Sequence, residues 1–316
     1  KTKVLDNSYN CKLVNDLPIW NYDGSSTGQA SGERSEILLK PVFICNDPFR
    51  TSLDKLVLCE TLNTDLTPHA TNNRAKLASL SDLIELHNPI FGFEQEFFVL
   101  PTDPDFNYED SFRHRVQGNF YCGVGGNNVF IRNFAEEAMK MCLKAGLNIT
   151  GMNAEVAPNQ WEFQVCSEGV NACDELYILR YILNVVGEKH NFKIDLEPKP
   201  FSNKWNGSGC HTNFSTLTMR NDTNRGFDSI MEFIYKLEYK HDEFMKHYGE
   251  NNNKRMTGDC ETASFDNFSY GIGDRTASIR IPNSVKENNN GYLEDRRPGS
   301  NIDPYVVAYL LIKNLE

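Results

Sequence analysis

The sequence predicts an α+β protein, with a small strand-dominated unit ahead of a larger mixed one. β-rich runs crowd the first 68 or so residues, among Gly/Ser-rich and Pro-containing turns. Amphipathic helical stripes recur further along, and strand-like runs lie between them. The 316 residues are enough for more than one domain, at roughly 100–200 residues each. We place the boundary after residue 68, giving units 1–68 and 69–316.

In chain order, Glu36–Cys45 and Leu56–Leu62 read as strands of the first unit. A helical pattern follows over Asn73–His87, with Leu77, Leu80 and Ile84 on one face. Phe91–Leu100 is strand-like. The stripe Ile131, Phe134, Ala135, Ala138, Met139 and Cys142 predicts a helix stopping near Gly146. Gly151–Val165 reads as strand, and Leu176, Leu179, Ile182, Leu183 and Val186 predict a helix ending at Gly187. Strand-like Gly209–Leu217 and a helix through Ile230, Phe233, Ile234 and Leu237 come next. Glu250–Lys254 and Lys286–Asn290 are expected to be mobile loops because of their asparagine content. Gly123-Val-Gly-Gly lacks the Lys-Ser/Thr of a phosphate loop and reads as a tight turn. The chain looks short at both ends, opening on Lys1 and closing in the apolar run Tyr305–Ile312, which reads as an unfinished helix.

Net charge is −11, from 32 basic and 43 acidic residues, which argues against nucleic acid as a partner. No apolar run approaches the roughly 20 residues that span a bilayer. Nine scattered cysteines without a C-x-x-C pair fit free thiols in a reducing compartment, so cytoplasm is expected.

Phe91-Gly-Phe-Glu-Gln-Glu-Phe-Phe is the most informative segment. On a strand, alternation projects Glu94 and Glu96 together, while Phe93, Gln95 and Phe97 face the other way. A second acidic segment follows in Asn153-Ala-Glu-Val-Ala-Pro-Asn-Gln-Trp-Glu-Phe-Gln. With Pro158-Asn159 at the centre of a hairpin, Ala157 faces Gln160, Val156 faces Trp161, and Glu155 faces Glu162. Like charges directly opposite destabilise a sheet unless a cation lies between them. Four carboxylates on rigid elements, with His211 adding a nitrogen, suit a two-ion Mg²⁺ or Mn²⁺ site.

Arginine becomes frequent near the C-terminal end, with Arg275 and Arg280 in one motif and Arg296 and Arg297 in another. Its planar fork suits phosphate and carboxylate. Glu294 and Arg296 are two apart, so extended backbone sets an acid and a phosphate-side cation on one face. No credible nucleophilic Ser-His-Asp arrangement is present.

Together these motifs resemble glutamine synthetase of the eukaryotic type. The resemblance rests on Trp20-Asn-Tyr-Asp-Gly-Ser-Ser-Thr, Phe91-Gly-Phe-Glu-Gln-Glu, Asn153-Ala-Glu-Val through Gln160-Trp-Glu-Phe-Gln, Lys204-Trp-Asn-Gly-Ser-Gly-Cys-His-Thr-Asn-Phe-Ser, Asp274-Arg through Ser278-Ile-Arg-Ile-Pro, and Gly291-Tyr-Leu-Glu-Asp-Arg-Arg-Pro. It implies a β-grasp-like N-terminal domain and a catalytic domain with a curved antiparallel sheet flanked by helices. It further implies two divalent ions per site, one held by Glu96, Glu155 and Glu162 and the other by Glu94, His211 and Glu294. Glutamate is expected around Asn206, Gly207, Arg255, Glu261 and Arg296. ATP is expected at Asn213, Ser215, Arg220 and Tyr292, with Arg275 and Arg280 facing the transferring phosphoryl group.

The implied reaction phosphorylates the γ-carboxylate of glutamate, then lets ammonia displace phosphate. Asp23 takes a proton from ammonium, with Ser26 nearby, and the loop of Glu261 closes the pocket. The resemblance also implies a decamer of two stacked pentameric rings in which Asp23 and Ser26 serve the neighbouring subunit. The chain departs from the family pattern at Ile90, where a tryptophan is usual, at Cys260, where a histidine is usual, and at Arg34 and Ala70. Two alternatives stay open: a γ-glutamyl ligase for another amine, and a non-catalytic structural relative.

Overall fold

Three antiparallel strands open the described chain: β1 (Trp20–Asp23), β2 (Glu36–Asn46) and β3 (Lys55–Leu62), in the order β1-β2-β3. The computed structural model describes residues 1–6, 9, 11–51 and 53–316. The β2–β3 ladder slips between Pro41 and Phe43, where proline has no N–H to contribute. Both strands expected in this region form.

Eight strands make the second sheet: β4 (Ile90–Pro101), β5 (Ile149–Ala154), β6 (Gln160–Glu168), β7 (Phe192–Asp195), β8 (Cys210–Ser215), β9 (Tyr270–Ile272), β10 (Ile279–Ile281) and β11 (Leu293–Asp295). The order is β5-β6-β4-β8-β11-β10-β9, with β7 also paired to β4. Every pairing is antiparallel except β9 with β10. The protein is therefore α+β, as its sequence pattern predicts.

Among the described residues there are also ten α-helices. They are α1 (Asn73–Ala78), α2 (Ser81–His87), α3 (Tyr108–Ser111), α4 (Arg132–Ala145), α5 (Gly169–His190), α6 (Leu217–Asn221), α7 (Gly226–Tyr239), α8 (His241–Met245), α9 (Asn283–Asn288) and α10 (Pro304–Lys313). Alternation along β4 sends Phe91, Phe93 and Phe97 into the core, where α5 packs through Leu176, Leu179, Ile182, Leu183 and Val186. Each such buried side chain contributes roughly 1.5–3 kcal/mol, enough to fix which face of β4 turns outward. Among the described residues no helix is long and apolar enough to cross a membrane. All nine cysteines are free.

Four local expectations need correcting. The single helix expected over Asn73–His87 is two, because the Ser79 hydroxyl donates to the Lys76 carbonyl and Leu80 N–H bonds Leu77 in a tighter turn. The helix expected to end at Gly187 continues to His190 and stops at Asn191, in the left-handed region at φ 57°. Gly187 instead permits a close approach, since a Cβ there would lie 2.9 Å from the Phe192 carbonyl oxygen.

The asparagine-rich segments are built structure. Residues Asn252–Lys254 form a 3₁₀ turn, and the buried Asn252 amide donates to the Tyr248 and Arg297 carbonyls at 2.8 and 2.7 Å. Helix α9 occupies most of the second segment and buries Val285. Buried amides and local capping, invisible in composition, decide both cases.

Candidate active site

The outward face of β4 carries Glu94 and Glu96, as alternation requires. Its neighbours bring the remaining candidate ligands alongside. On β6, Glu162 stands directly opposite Glu96, and on β8 His211 stands opposite Glu94. Glu294 comes from β11, opposite Asn213 of β8.

The hairpin register differs from the expected one. Asn153, not Glu155, faces Glu162, and Ala154 faces Trp161. The Glu155 N–H bonds the Gln160 carbonyl at 2.8 Å, so the turn spans residues 156–159, with Asn159 at φ 58°. A longer turn shifts every pair by two, which keeps the same faces. Glu155 therefore still reaches the cluster, from the strand end, and the like-charge pair across the sheet is Glu96 with Glu162.

Two groups of ligand atoms result, each with all members within 4.8 Å of one another: Glu94, His211 and Glu294, and Glu96, Glu155 and Glu162. Burial pushes Glu96 up to about 8, with the Glu155 charge adding to it. Burial likewise raises Glu155 to about 7, reinforced by Glu162, and Glu162 to about 8, reinforced by Glu94 and Glu96. His211 is held well below its ordinary value by burial and by Arg296. Its ring is thus neutral and keeps a lone pair, with Nδ1 3.7 Å from Glu94 Oε2 and 3.6 Å from Glu294 Oε1.

These carboxylates are aimed by amides, of which only Asn213 is expected at the site from the sequence. Asn153 Nδ2 donates to Glu155 at 2.9 Å, Gln164 Nε2 to Glu162 at 2.8 Å, and Asn213 Nδ2 to Glu94 at 2.7 Å. Gly209 N–H donates to Glu96 at 2.8 Å. Gln160 Nε2 bonds the Gly207 carbonyl at 2.9 Å and lies 3.4 Å from Glu96. Same-face spacing offers a signal for Gln164, which is two residues from Glu162 on β6. No such signal marks Asn153, whose place depends on the register.

At the Glu94 end of the cluster opens a cavity of about 310 Å³, lined by Ile90, Glu94, Thr150, Cys166, Asn213, Ser215 and Tyr292 among others. Three of the four proposed nucleotide residues are therefore in one wall. The fourth, Arg220, is not among the lining residues; its guanidinium is spent on the Ser215 and Asn88 carbonyls at 3.3 and 2.7 Å.

The arginines gather at Glu294. Arg280 Nη1 and Arg296 Nη1 each donate to it, at 2.7 and 2.6 Å. The Nε–H groups of both are buried and have no hydrogen-bond partner among the described residues, leaving two donors for an incoming anion. Arg275 is exposed and hydrogen-bonds Tyr121, a residue the sequence does not flag. Arg255 is buried, and its Nη2 donates to the Arg296, Arg297 and Pro298 carbonyls at 3.1, 2.7 and 3.2 Å. It supports the strand of Arg296 rather than standing open to solvent.

Asn206 is gripped on both sides by the Gln117 amide. Gly207 is confined: a Cβ would lie 2.1 Å from the Pro198 carbonyl oxygen and 2.7 Å from Arg255 Cγ. Glu261 sits exposed on its loop with φ 59°, beside Cys260 at φ 53°, and its carbonyl accepts from Arg296 Nη2 at 3.3 Å. Asp23 and Ser26 lie in the small-sheet region, bonded to each other at 2.8 Å. The Ser25 and Ser26 hydroxyls hold Asp23 below the usual carboxylate range. No hydrogen bond or ion pair among the described residues links Asp23 or Ser26 to the carboxylate cluster of the same chain.

The donor set fits divalent cations. Five carboxylates and one neutral imidazole, mutually close and partly buried, repel each other unless positive charge lies among them. The carboxylate cluster, the cavity at its Glu94 end and the arginine donors at Glu294 are chemically suited to an anionic, phosphate-bearing ligand.

Comparison with known proteins agrees. The family profile described as "Glutamine synthetase, catalytic domain" matches residues 73–313. The glutamine synthetase of Kluyveromyces lactis is 47% identical over 305 residues, 96% of this chain and 81% of that protein. That of Streptomyces viridochromogenes is 46% identical over 299 residues, covering 94% and 86%. Glutamine synthetase 1, mitochondrial, of Drosophila melanogaster is 44% identical over 319 residues, covering 99% and 79%. With the carboxylate and imidazole face, the cavity beside it and these similarities all in agreement, the chain belongs to the glutamine synthetase family.

Proposed function

We infer that this chain is a glutamine synthetase, joining ammonia to the γ-carboxylate of glutamate with conversion of ATP to ADP and phosphate. The single observation that carries the reading is the meeting of two three-residue groups on one sheet face, next to a cavity that Glu94 lines and to arginine donors at Glu294.

Glu96, Glu155 and Glu162 would hold one Mg²⁺ or Mn²⁺, and Glu94, His211 and Glu294 the other. Bound there, the ions neutralise phosphate charge and help align the groups that react. The protein's own groups do the rest. Asn213, Ser215 and Tyr292 line the nucleotide cavity, and Arg220 braces Ser215 from behind. Arg280 and Arg296 offer Nε–H donors to the transferring phosphoryl group and the glutamate carboxylate, and Arg275 covers the outer edge. The γ-carboxylate oxygen attacks the terminal phosphorus, ADP leaves, and γ-glutamyl phosphate forms. Asn206 and Gly207 hold the amino-acid end, with Arg255 fixing the backbone beneath them.

Asp23, kept ionised by its serine hydroxyls, takes a proton from ammonium; the ammonia then bonds to the γ-carbon, the C–O bond to phosphate breaks, and the nitrogen gives up a second proton to the departing phosphate. Glu261, on its exposed loop, closes the pocket against water. Asp23 and Ser26 make no bond to the cluster of their own chain, which supports a role at a neighbour's site. We accordingly assign residues 1–68 to an N-terminal unit and 69–316 to the catalytic unit. The assembly we propose is a decamer of two pentameric rings, and the compartment is the cytoplasm.

The test is ATP-dependent γ-glutamyl hydroxamate formation with Mg²⁺, run beside a panel of amines. Ammonia and hydroxylamine should serve and bulkier amines should not. Preference for a larger amine, or no product with any, would overturn the assignment. Glu162→Ala should abolish turnover.

A further inference from the structure

Behind the site lies a buried polar network that the reaction scheme does not use. Next to Glu294 on β11, Asp295 points to the opposite side of the sheet and is fully buried. It accepts from Arg297 N–H, Nε and Nη2 at 3.1, 2.8 and 2.7 Å and from the Tyr248 hydroxyl at 2.9 Å. Arg297 is fully buried too, with the rings of Phe244, Tyr248 and Phe268 at 5.6, 5.1 and 5.2 Å. Its remaining nitrogen, Nη1, lies 3.2 Å from Nδ1 of the buried His241.

A guanidinium only donates, so His241 Nδ1 must be the acceptor and Nε2 must carry the proton. That Nε2–H points at the Phe265 carbonyl, 2.9 Å away. Phe265 is four residues beyond Glu261, and its N–H closes the loop onto the Met256 carbonyl at 2.9 Å. The loop of Glu261 is thus tied twice to the arginine pair that follows β11. In front, Arg296 Nη2 holds the Glu261 carbonyl; behind, His241 links Phe265 to Arg297.

We propose that His241 is a positioning residue that sets the resting place of the Glu261 loop relative to Arg296, and so keeps phosphoryl transfer coupled to amide formation. The inference rests on the reading that this loop shields γ-glutamyl phosphate. With the rear tether cut, the loop opens more often and water competes with ammonia. The water oxygen bonds to the γ-carbon, the C–O bond to phosphate breaks and a proton passes to solvent, so glutamate and phosphate are recovered and ATP is wasted.

Two variants separate this role from simple packing. Asparagine at 241 places its carbonyl near the Nδ1 position and still accepts from Arg297, but it is too short to reach Phe265. Glutamine reaches that carbonyl. In the full chain with Mg²⁺, ATP, glutamate and ammonium, ADP and glutamine are counted in one reaction. Wild type should give about one ADP per glutamine, His241→Asn at least about twofold more, and His241→Gln close to wild type. In the ligand-free protein, amide hydrogen exchange over residues 257–265 should quicken in His241→Asn alone. Equal ratios and equal exchange in both variants overturn the proposal. A wild-type protein that makes no glutamine sinks the synthetase reading instead, and the exchange comparison then decides the tether by itself.

Discussion

Among the described residues no lysine or arginine pairs with Glu162, and its one side-chain donor is the Gln164 amide, at 2.8 Å. Such outer contacts aim a ligand and set its basicity, and their loss typically costs about 10–100-fold in metal affinity. Gln164→Leu should therefore weaken Mn²⁺ binding by about that factor while leaving the fold intact, as isothermal titration and a thermal melt would show. Gly207 is constrained differently. Its missing Cβ is the space taken by the Pro198 carbonyl, which also accepts from Ser208 N–H at 2.9 Å. Gly207→Ala must push that backbone aside, so we expect a loss of about 1–3 kcal/mol in stability and a raised KM for glutamate. An unchanged melt with normal KM would contradict this.

Strands β4 and β6 place Glu96 against Glu162, a pair a sheet tolerates only with help. Folding raises Glu96, Glu155 and Glu162 to about 8, 7 and 8, so the folded, metal-free protein binds protons the unfolded chain has released. Their contribution to stability is complete below the ordinary carboxylate range, is lost progressively as pH rises above that range, and is gone once pH has passed through 7 to 8. After chelation, the melting temperature should therefore fall across that interval. Adding Mg²⁺ should raise it again, most at the alkaline end, because the cation takes the place of the protons. A flat profile that ignores the cation would refute the cage. The hairpin between β5 and β6 marks a limit of reading by element. Pro158-Asn159 signals a turn, but the ladder closes at Ala154 and Trp161 rather than at Ala157 and Gln160. Turn length is settled by where the flanking strands pair, and a shift of two leaves every side chain on its original face.

Across the whole molecule, Asp23 and the carboxylate cluster of one chain make no bond to each other, and the proposed ring has each supplied to a different subunit's site. Subunit mixing tests this directly. Asp23→Asn and Glu162→Ala should each be inactive alone, since one lacks the proton acceptor and the other a cation ligand. Co-assembled from unfolded chains in equal amounts, they should recover about a quarter of wild-type activity, the share of sites that draw both intact residues at random. No recovery would place Asp23 at its own chain's site, or outside catalysis. Dilution to monomer should abolish turnover, which sedimentation and assay at matched concentrations would reveal.

The amino-acid sequence by itself determined the fold class, most strands and helices, and the common face of Glu94 and Glu96, because these follow from side-chain periodicity. It also carried the family's motifs, which brought His211, Glu155 and Glu294 into the same expectation. Tertiary structure alone decided the hairpin register, the burial of Asn252, the commitment of Arg220 and Arg255 to backbone carbonyls, and the link from His241 to the Glu261 loop. Each of these depends on groups far apart in the chain competing for the same buried donors and acceptors, and local pattern holds no record of that competition.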